Sequence, residues 1–540
     1  MKQSKETYES GPLGQESSSA TINNVSYSNP TYDKYKDEYP VIANNSYLFP
    51  AGLNTTDEMI EAMLKDIEMC GFNATIWTCE GKDKTWSKLM GMYYKVAAKC
   101  SLRTILNVGN NVPVIHENPS GGILYSPTLE EIATLLNFYP DNENLWGYRL
   151  ADEPHYENWC FDNPEEVIEK TFLPAMYNTY KANSNNRVGF VNLAVAVRAD
   201  WIGPEIANDN KLNNKEKYIR YLEAFNNKFH PVLLSVDLYP IIIDNTAPSY
   251  YRIKYFYYYY MEAIATFSAE YNIPFWMFML SNQHTIYHYE NAPQIKKTEY
   301  PYPTVSVLRY QAMTALAYGF QGLVFWTYNP QIGEYDEECE FTDDAQAQFT
   351  RTPDGTVRLT CDCECNVIRK PTTIFFNAPF MNGHTTEVWN NCKKVIPEIK
   401  LYGKVLLEAK FHEARHVGIP LRDKDLEWNQ VTQFDSSSPF ECIIDASASG
   451  TGFVITHLTK GSDNYMAIVS HDPYNEQDIT LSLASGFNWQ EITSNNPTPI
   501  EDNNSKEETE MNSPGGISIF RQLKPGGMIL IRYRTLIQHE

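Results

Sequence analysis

Residues 55–78, TTDEMIEAMLKDIEMCGFNATIWT, join an amphipathic helix to a β-strand. Thr55 and the acids after it are typical of a helix amino terminus, and Gly71 is placed to end the helix. Asn73–Thr78 then has the apolar, β-branched composition of a buried strand. One face of the helix is apolar because large side chains recur at helical spacing, at Met59, Ile60, Met63, Leu64 and Ile67.

The same pairing recurs along most of the chain. Short β-rich runs lie at Tyr47–Phe49, Asn73–Thr78, Arg103–Val108, Leu145–Leu150, Val188–Leu193, Val232–Leu238, Ile273–Leu280 and Gly322–Thr327. Helical spacing occurs at Thr55–Cys70, Trp86–Cys100, Pro127–Phe138, Pro164–Ala182, Lys215–Lys228, Tyr250–Tyr271, Thr304–Tyr318 and Thr386–Leu401. Eight strand–helix units predict an α/β fold of the (β/α)8 TIM-barrel type. A doubly wound dinucleotide fold is disfavoured, because no Gly-x-Gly-x-x-Gly follows the first strand.

The pattern changes on both sides of this region. Residues 1–37 are polar and aperiodic and predict a flexible segment, and residues 38–407 hold the predicted barrel. Residues 408–540 carry short alternating runs between turn residues, which predicts a smaller all-β sandwich. These runs are Phe440–Ile444, Gly452–Leu458, Tyr465–Ser470, Ile479–Leu483 and Met528–Tyr533.

Charge and composition exclude several classes of function. The 540 residues include 44 basic and 67 acidic side chains, so the net charge is −23. A nucleic-acid binder needs clustered Lys and Arg, and an anionic membrane surface repels an acidic chain. No apolar run approaches the roughly 18–20 residues of a membrane span. Aromatic residues make up 13% of the chain, enough to build both a core and ligand platforms.

The amino end and the cysteines bear on the compartment. Residues 1–24 lack the apolar core of a secretory signal, which predicts a cytoplasmic protein, or a periplasmic or secreted one if a signal has been removed. Ten cysteines are too few for a disulfide scaffold. Cys361, Cys363 and Cys365 share one face if they lie on a strand, and their spacing favours unpaired thiols or a local disulfide over a zinc site.

In a TIM barrel the functional groups project from the carboxyl ends of the strands. The fourth predicted strand ends in WGYRLADEP, residues 146–154. Two adjacent carboxylates, Asp152 and Glu153, are costly at a buried strand end unless they are used or paired. Because neighbouring strand residues point oppositely, we expect one of the two to face the barrel mouth. The alternative is that the pair caps a helix or binds Arg149.

Gly147-Tyr148-x-x-x-Asp152-Glu153-Pro154 resembles the strand-four acid motif of clan A glycoside hydrolases, particularly that of uncharacterised barrels from gut bacteria. The Asp-Leu-Tyr-Pro of residues 237–240 and Trp326 on strand eight also recur in such proteins. The resemblance covers residues 38–407, and a trailing β-sandwich is a common companion. It implies a glycosidase acting on an oligo- or polysaccharide, with Glu153 as general acid/base and no cofactor.

Glycoside hydrolysis requires a second carboxyl group. In the retaining members of that family this group is a Glu at the end of strand seven, where the present chain reads Phe278–His284, FMLSNQH, without a carboxylate. Asp237 and Glu80 are the nearest replacements. Asp237 is preferred because its strand end repeats the arrangement of Asp-Glu-Pro, although a buried Asp bonded to nearby backbone has the same signature.

Further strand-end residues suit a sugar site. Aromatic rings can stack on pyranose faces, and amides, imidazoles and the remaining acids can bind hydroxyl groups. The predicted substrate-binding residues are Trp77, Glu80, Asn107, Asp152, Asn192, Tyr239, Asn282, His284, Trp326 and Tyr328.

Two other functions fit the sequence. Loss of the strand-seven acid is compatible with a barrel that binds glycans without hydrolysing them. Glu334–Asp344, with seven carboxylates and no base, reads as a calcium loop or as a solvated loop over the barrel mouth. In the first reading the protein is a metal-dependent hydrolase.

Overall fold

A computed structural model describes residues 38–45, 57–77, 102–107, 144–154, 173, 177–178, 180–182, 187–244, 251–254, 256–288, 296–330, 333–335, 347–351, 357–361, 371–381, 384–418, 431–438, 440–493 and 517–535. Its strands are β1 (Val41–Asn45), β2 (Ala74–Trp77), β3 (Arg103–Asn107), β4 (Leu145–Asp152), β5 (Val188–Leu193), β6 (Leu234–Asp237), β7 (Ile241–Ile243), β8 (Tyr251–Ile253), β9 (Phe275–Leu280), β10 (Gln283–His288), β11 (Lys296–Glu299), β12 (Gly322–Trp326), β13 (Gly333–Tyr335), β14 (Ala347–Arg351), β15 (Val357–Cys361), β16 (Pro371–Asn377), β17 (Phe380–Met381), β18 (His384–Thr385), β19 (Lys410–Val417), β20 (Ile443–Ala448), β21 (Phe453–Lys460), β22 (Asp463–Ser470), β23 (Gln477–Leu483), β24 (Phe487–Ile492), β25 (Ile517–Leu523) and β26 (Met528–Thr535).

Eight parallel strands close into a barrel in the order β1, β12, β9, β6, β5, β4, β3, β2. The described helices are α1 (Asp57–Cys70), α2 (Ala199–Ile202), α3 (Pro204–Ala207), α4 (Asn214–Phe229), α5 (Tyr257–Tyr271), α6 (Val305–Ala317) and α7 (Glu387–Leu406). The (β/α)8 barrel is thus confirmed. No helix within the described ranges is long and apolar enough to cross a bilayer.

The helices begin and pack as their sequences dictate. In α1 the apolar stripe is buried at Ile60, Met63, Leu64 and Ile67. The N-cap of α4 is a capping box, in which Asn213 accepts from the Glu216 N–H and the Glu216 carboxylate accepts from the Asn213 N–H. The cap fixes where α4 begins, and the apolar stripe packs α1 against the outside of the barrel.

Two predicted element boundaries are wrong. The first barrel strand is β1, at Val41–Asn45, and not the predicted Tyr47–Phe49. Residues 47–49 themselves lie outside the described residues. Asn44 and Asn45 of this strand are buried, and the Asn45 amide donates to the Thr75 hydroxyl at 2.7 Å. The helix predicted from Tyr250 begins at Tyr257, because residues 251–253 form a hairpin strand with β7.

Two layers of apolar side chains flank the barrel wall. The interior is filled by a small cluster that includes Ile76, Trp146, Trp276 and Phe278. The rings of Trp146 and Trp276 lie 5.2 Å apart. A much larger cluster lies between the strands and the helices and holds most of the buried tyrosines. The barrel interior is therefore a packed core, and functional groups of such barrels project from the carboxyl ends of the strands.

An antiparallel sheet of four strands lies beyond the barrel strands, in the order β11, β10, β16, β13. It joins the chain leaving β9 to the long segment that follows β12. Within the acidic run, Glu334 and Tyr335 belong to β13, and residues 336–344 lie outside the described residues. Cys361 ends β15, and Cys363 and Cys365 lie outside the described residues.

The carboxyl-terminal region forms the predicted β-sandwich. A five-stranded sheet (β19, β21, β22, β26, β24) faces a three-stranded one (β20, β23, β25) across its own apolar cluster. The outer face of the larger sheet joins the barrel core through Leu458, Ala467 and Leu530. Polar bonds cross the same boundary, such as the Thr456 hydroxyl donating to the Ala317 carbonyl at 2.7 Å.

Gly147 sets the spacing between β4 and β5. A Cβ at this position meets the Val188 carbonyl oxygen at 2.1 Å, which no rotamer change can relieve. We expect Gly147→Ala to lower the free energy of unfolding by about 3 kcal/mol. Denaturant unfolding followed by tryptophan fluorescence measures the change.

The matched control is Gly461→Ala. There an added Cβ meets no atom within 4 Å, and only the left-handed backbone, at φ 60°, opposes it. A loss of about 1 kcal/mol is expected for this control. Equal losses in the two variants would contradict the steric argument.

Candidate active site

Strand β4 does not keep strict alternation, and this decides where its acids point. Its register shifts once against β3 and once against β5, between Arg149 and Ala151. The Arg149 guanidinium lies 5.6 Å from the ring centroid of the interior Phe278, so Trp146 and Arg149 both face inward, three residues apart. Bulges of this kind re-aim side chains near functional sites.

Asp152 is held in a polar network at the end of β4. It forms an ion pair with Arg149 and accepts a hydrogen bond from the Asn192 amide at 2.9 Å. The Asn192 Oδ1 in turn accepts from the Ser235 hydroxyl at 2.8 Å. Asp152 and Asn192, both predicted to bind substrate, therefore fix the ends of β4, β5 and β6 to one another.

Glu153 is the acid that turns toward the cavity. Its N–H donates to the Asn192 carbonyl at 2.8 Å, and its backbone is left-handed, with φ 44°. A non-glycine residue in this region is strained by about 1–3 kcal/mol, and such strain concentrates at functional sites. Unlike Asp152, Glu153 forms no ion pair with any described residue. The pairing with Arg149 that the sequence left open thus involves Asp152.

Asp237 ends β6 and lines the same cavity as Glu153. Its Oδ1 is buried and accepts no hydrogen bond from any described residue. The bonding to nearby backbone that the sequence left as an alternative is not found for this oxygen. A carboxylate oxygen without a donor is costly to bury, which fits a group reserved for a ligand.

The two carboxyl groups have raised pKa values. Burial raises the pKa of Glu153 well above its usual range, the charges of Asp237 and Asp152 raise it further, and Arg149 opposes them. Burial and the Asp152 charge raise the pKa of Asp237 to about 7, against the lowering effect of the Asn192 amide and Arg149. Both carboxyl groups therefore hold their protons to higher pH than isolated carboxyl groups do, and the charge of Asp237 opposes ionisation of Glu153.

The cavity between these groups measures about 200 Å³. This is below the roughly 300–1,000 Å³ typical of sites for drug-sized ligands and suits a single ring. The segment after β5 forms one part of its wall, and the ends of β6 and β8 form another. The lining residues are Glu153, Ala194, Val195, Ala196, Arg198, Trp201, Asp237, Leu238, Tyr239, Lys254 and Phe256.

Two predicted aromatic residues lie together at this mouth. Tyr239 lines the cavity and stacks on half-buried Trp326, with centroids 5.6 Å apart and planes 21° apart. His284 packs behind them, stacked on Tyr300 at 4.4 Å and edge-on to Trp326 at 5.4 Å. Burial, aided by Lys254, lowers the pKa of His284 to about 3, so its imidazole is neutral at physiological pH.

The remaining predicted residues lie elsewhere. Asn282 is buried, and its amide donates to the Trp326 carbonyl at 2.9 Å. Asn107 is buried at the end of β3. Tyr328 is not at the mouth: it is fully buried against Phe72 and Phe380, because the chain turns outward after β12. Trp77 ends β2, but its side chain, like all of Glu80, lies outside the description.

Lys254 is a cavity residue that the sequence interpretation missed. The predicted helix Tyr250–Tyr271 includes it, but it follows β8, and its N–H donates to the Pro240 carbonyl at 2.8 Å. Burial and the charge of Arg252 lower its pKa to about 7. Two basic residues in the aromatic run YYRIKYF were the available signal.

No family model and no curated protein sequence matches the chain. Similar solved structures include a glycoside hydrolase family 5 protein from Bacteroides vulgatus, with 10% identity and a TM-score of 0.45, covering 92% of this chain and 89% of that one. A putative α-L-fucosidase from Bacteroides thetaiotaomicron has 10% identity and a TM-score of 0.34, over 61% and 93% of the two chains. An endo-1,4-β-mannanase from Rhizomucor miehei has 13% identity and a TM-score of 0.33, over 54% and 87%. Scores at this level carry no argument about activity.

The raised pKa of Asp237 predicts a pH-dependent cost to stability. The folded protein holds this proton more tightly than the unfolded chain, so the free energy of unfolding falls as pH rises from about 4 to about 7. Asp237→Asn removes the penalty. We expect the variant to be more stable than wild type at pH 8, by roughly 1 kcal/mol or more, and similar to it at pH 4.

Thermal and denaturant unfolding at both pH values measure this difference. Asp445→Asn, which neutralises an exposed carboxylate on β20, controls for loss of one charge. The assignment fails if Asp237→Asn retains the pH dependence of wild type.

Proposed function

We propose that the protein is a glycoside hydrolase that cleaves O-glycosidic bonds in an oligo- or polysaccharide. One observation carries this proposal: Glu153 and Asp237 line a single cavity at the carboxyl end of the barrel, and both have raised pKa values. Glycosidases need one carboxyl group that is protonated and one that is ionised at the same pH.

The environment of each group suggests its role. Glu153, whose pKa is raised by burial and by the neighbouring acids, donates its proton to the glycosidic oxygen as the bond breaks. Asp237, the group that ionises near neutrality, serves as the second carboxylate, which either activates water or attacks the anomeric carbon. Arg149, Asp152 and Asn192 position the strand ends and balance the charge between the two acids.

The aromatic wall supports a sugar as substrate. The stacked pair Tyr239 and Trp326 borders the acids, and a pyranose ring presents flat C–H faces that favour such surfaces. Binding along this wall places the ring in the cavity next to Glu153 and Asp237.

A second candidate function is glycan binding without hydrolysis. It is favoured by the chain that follows β9, where Ser281 and Asn282 are buried, no carboxylate is present, and the Asn282 amide is bonded to the Trp326 carbonyl. In that case the same cavity binds a sugar, and Glu153 and Asp237 only form hydrogen bonds with its hydroxyl groups.

Replacement of the proton donor tests the proposal. Glu153→Gln keeps the size of the side chain and removes the acid, so kcat on a cleaved glycan is expected to fall by about 10²- to 10⁴-fold. The assay is reducing-sugar release from a panel of neutral and acidic polysaccharides. Glu205→Gln, on α3 outside the cavity lining, is the matched control and should retain wild-type turnover.

Equal turnover by wild type and Glu153→Gln rejects Glu153 as the acid. Sugar binding that survives in Glu153→Gln, with no product from the wild-type protein on any glycan, favours the binding function.

The pH profile provides an independent test. Since Asp237 must be ionised and Glu153 protonated, kcat/KM should rise with pH through about 7 and fall again at higher pH. The Asp152 charge raises the pKa of both groups, so Asp152→Asn should move both limbs to lower pH, by on the order of one unit. An unmoved profile in Asp152→Asn would contradict this electrostatic coupling.

A further inference from the structure

The cavity that holds the two acids is also lined by two basic residues, Arg198 and Lys254. Arg198 is exposed and immediately precedes α2. Lys254 is half-buried in the turn between β8 and α5. The cavity therefore brings two basic side chains together with the two carboxyl groups.

Lys254 has no carboxylate partner among the described residues. Its ammonium donates to the Tyr300 hydroxyl at 2.8 Å and lies 4.7 Å from the centroid of the same ring. The Phe256 ring is 5.6 Å away. Asp244, the acid of the neighbouring hairpin, is paired with Arg252 at 3.4 Å. All side-chain contacts of Lys254 in the described structure are thus with neutral aromatic groups.

This arrangement disfavours the charged form of Lys254 unless an anion completes it. The Lys254 ammonium is partly desolvated and lies near the charge of Arg252, so it loses hydration without gaining a counter-ion. An ammonium has three donors, and the Tyr300 hydroxyl takes one of them. Because Lys254 lines the cavity, its other two N–H donors can bind a ligand there.

We propose that the cavity binds a sugar carrying a negative charge, either a uronic acid carboxylate or a sulfate ester, with Lys254 as its counter-ion. The inference rests on the proposed function in that the charged ring occupies the cavity bordered by Glu153 and Asp237. Arg198, at the exposed rim, adds a second positive charge along the approach of the ligand. Because the whole chain carries a net charge of −23, local cations of this kind are needed to hold an acidic glycan.

Binding in the full-length Glu153→Gln protein tests the inference without turnover. The probes are methyl glycosides of both anomers in matched pairs: glucuronate with glucose, galacturonate with galactose, and galactose 6-sulfate with galactose. Calorimetry or ligand-observed NMR gives each Kd. We expect at least one charged member to bind about 10-fold or more tightly than its neutral counterpart, and the pair that shows this distinguishes carboxylate from sulfate.

The decisive variant is Lys254→Met in the same background, which keeps an unbranched side chain of similar length. It should reduce the affinity for the charged sugar by about 10-fold or more and leave the neutral sugar unchanged. Lys254→Arg should retain most of the preference. Lys211→Met, which removes an exposed lysine outside the cavity lining, is the matched control and should bind as the parent does.

The inference is overturned if no charged sugar binds more tightly than its neutral partner, or if the preference survives Lys254→Met. Charge-dependent binding by a protein that cleaves no glycan supports this inference while rejecting hydrolysis. Cleavage of neutral glycans only, without charge preference in binding, supports hydrolysis and rejects this inference.

Discussion

The ion pair between Arg149 and Asp152 is the interaction on which the site depends. Arg149 lies inside the barrel against Phe278, where a lone guanidinium is costly to desolvate. Asp152 neutralises it and binds Asn192, whose carbonyl holds the N–H of Glu153 in its left-handed turn. One buried charge pair therefore connects the interior of the barrel to the orientation of the acid at its mouth.

The sequence was sufficient for the parts of this arrangement that follow from periodicity. Repeated strand–helix units predict the barrel, and the strand-end rule predicts that Glu153 and Asp237 lie at the same edge of it. The direction of the two adjacent acids was not predictable in this way. It depends on the register shifts of β4 against β3 and against β5, which involve strands distant in sequence.

The other differences have a similar, non-local origin. The position of the first barrel strand depends on partners far along the chain, since Asn45 of β1 is bonded to Thr75. The predicted helix Tyr250–Tyr271 loses its first residues because Tyr251–Ile253 pair with β7, and the helix begins at Tyr257. Tyr328 follows a strand end as Tyr239 does, and only the path of the chain after β12 directs it into the outer core. Local patterns therefore predict elements better than they predict which side chains meet.

The apolar cluster shared by the barrel and the β-sandwich has a consequence for how the protein unfolds. Leu458, Ala467 and Leu530 on the larger sheet belong to the same cluster as the residues that coat the barrel. Separation of the two regions would expose apolar surface on both, so we expect them to unfold together. The sandwich thus acts as a folding partner of the barrel rather than as a detachable module, and exchange of one region in evolution requires matching changes in the face of the other.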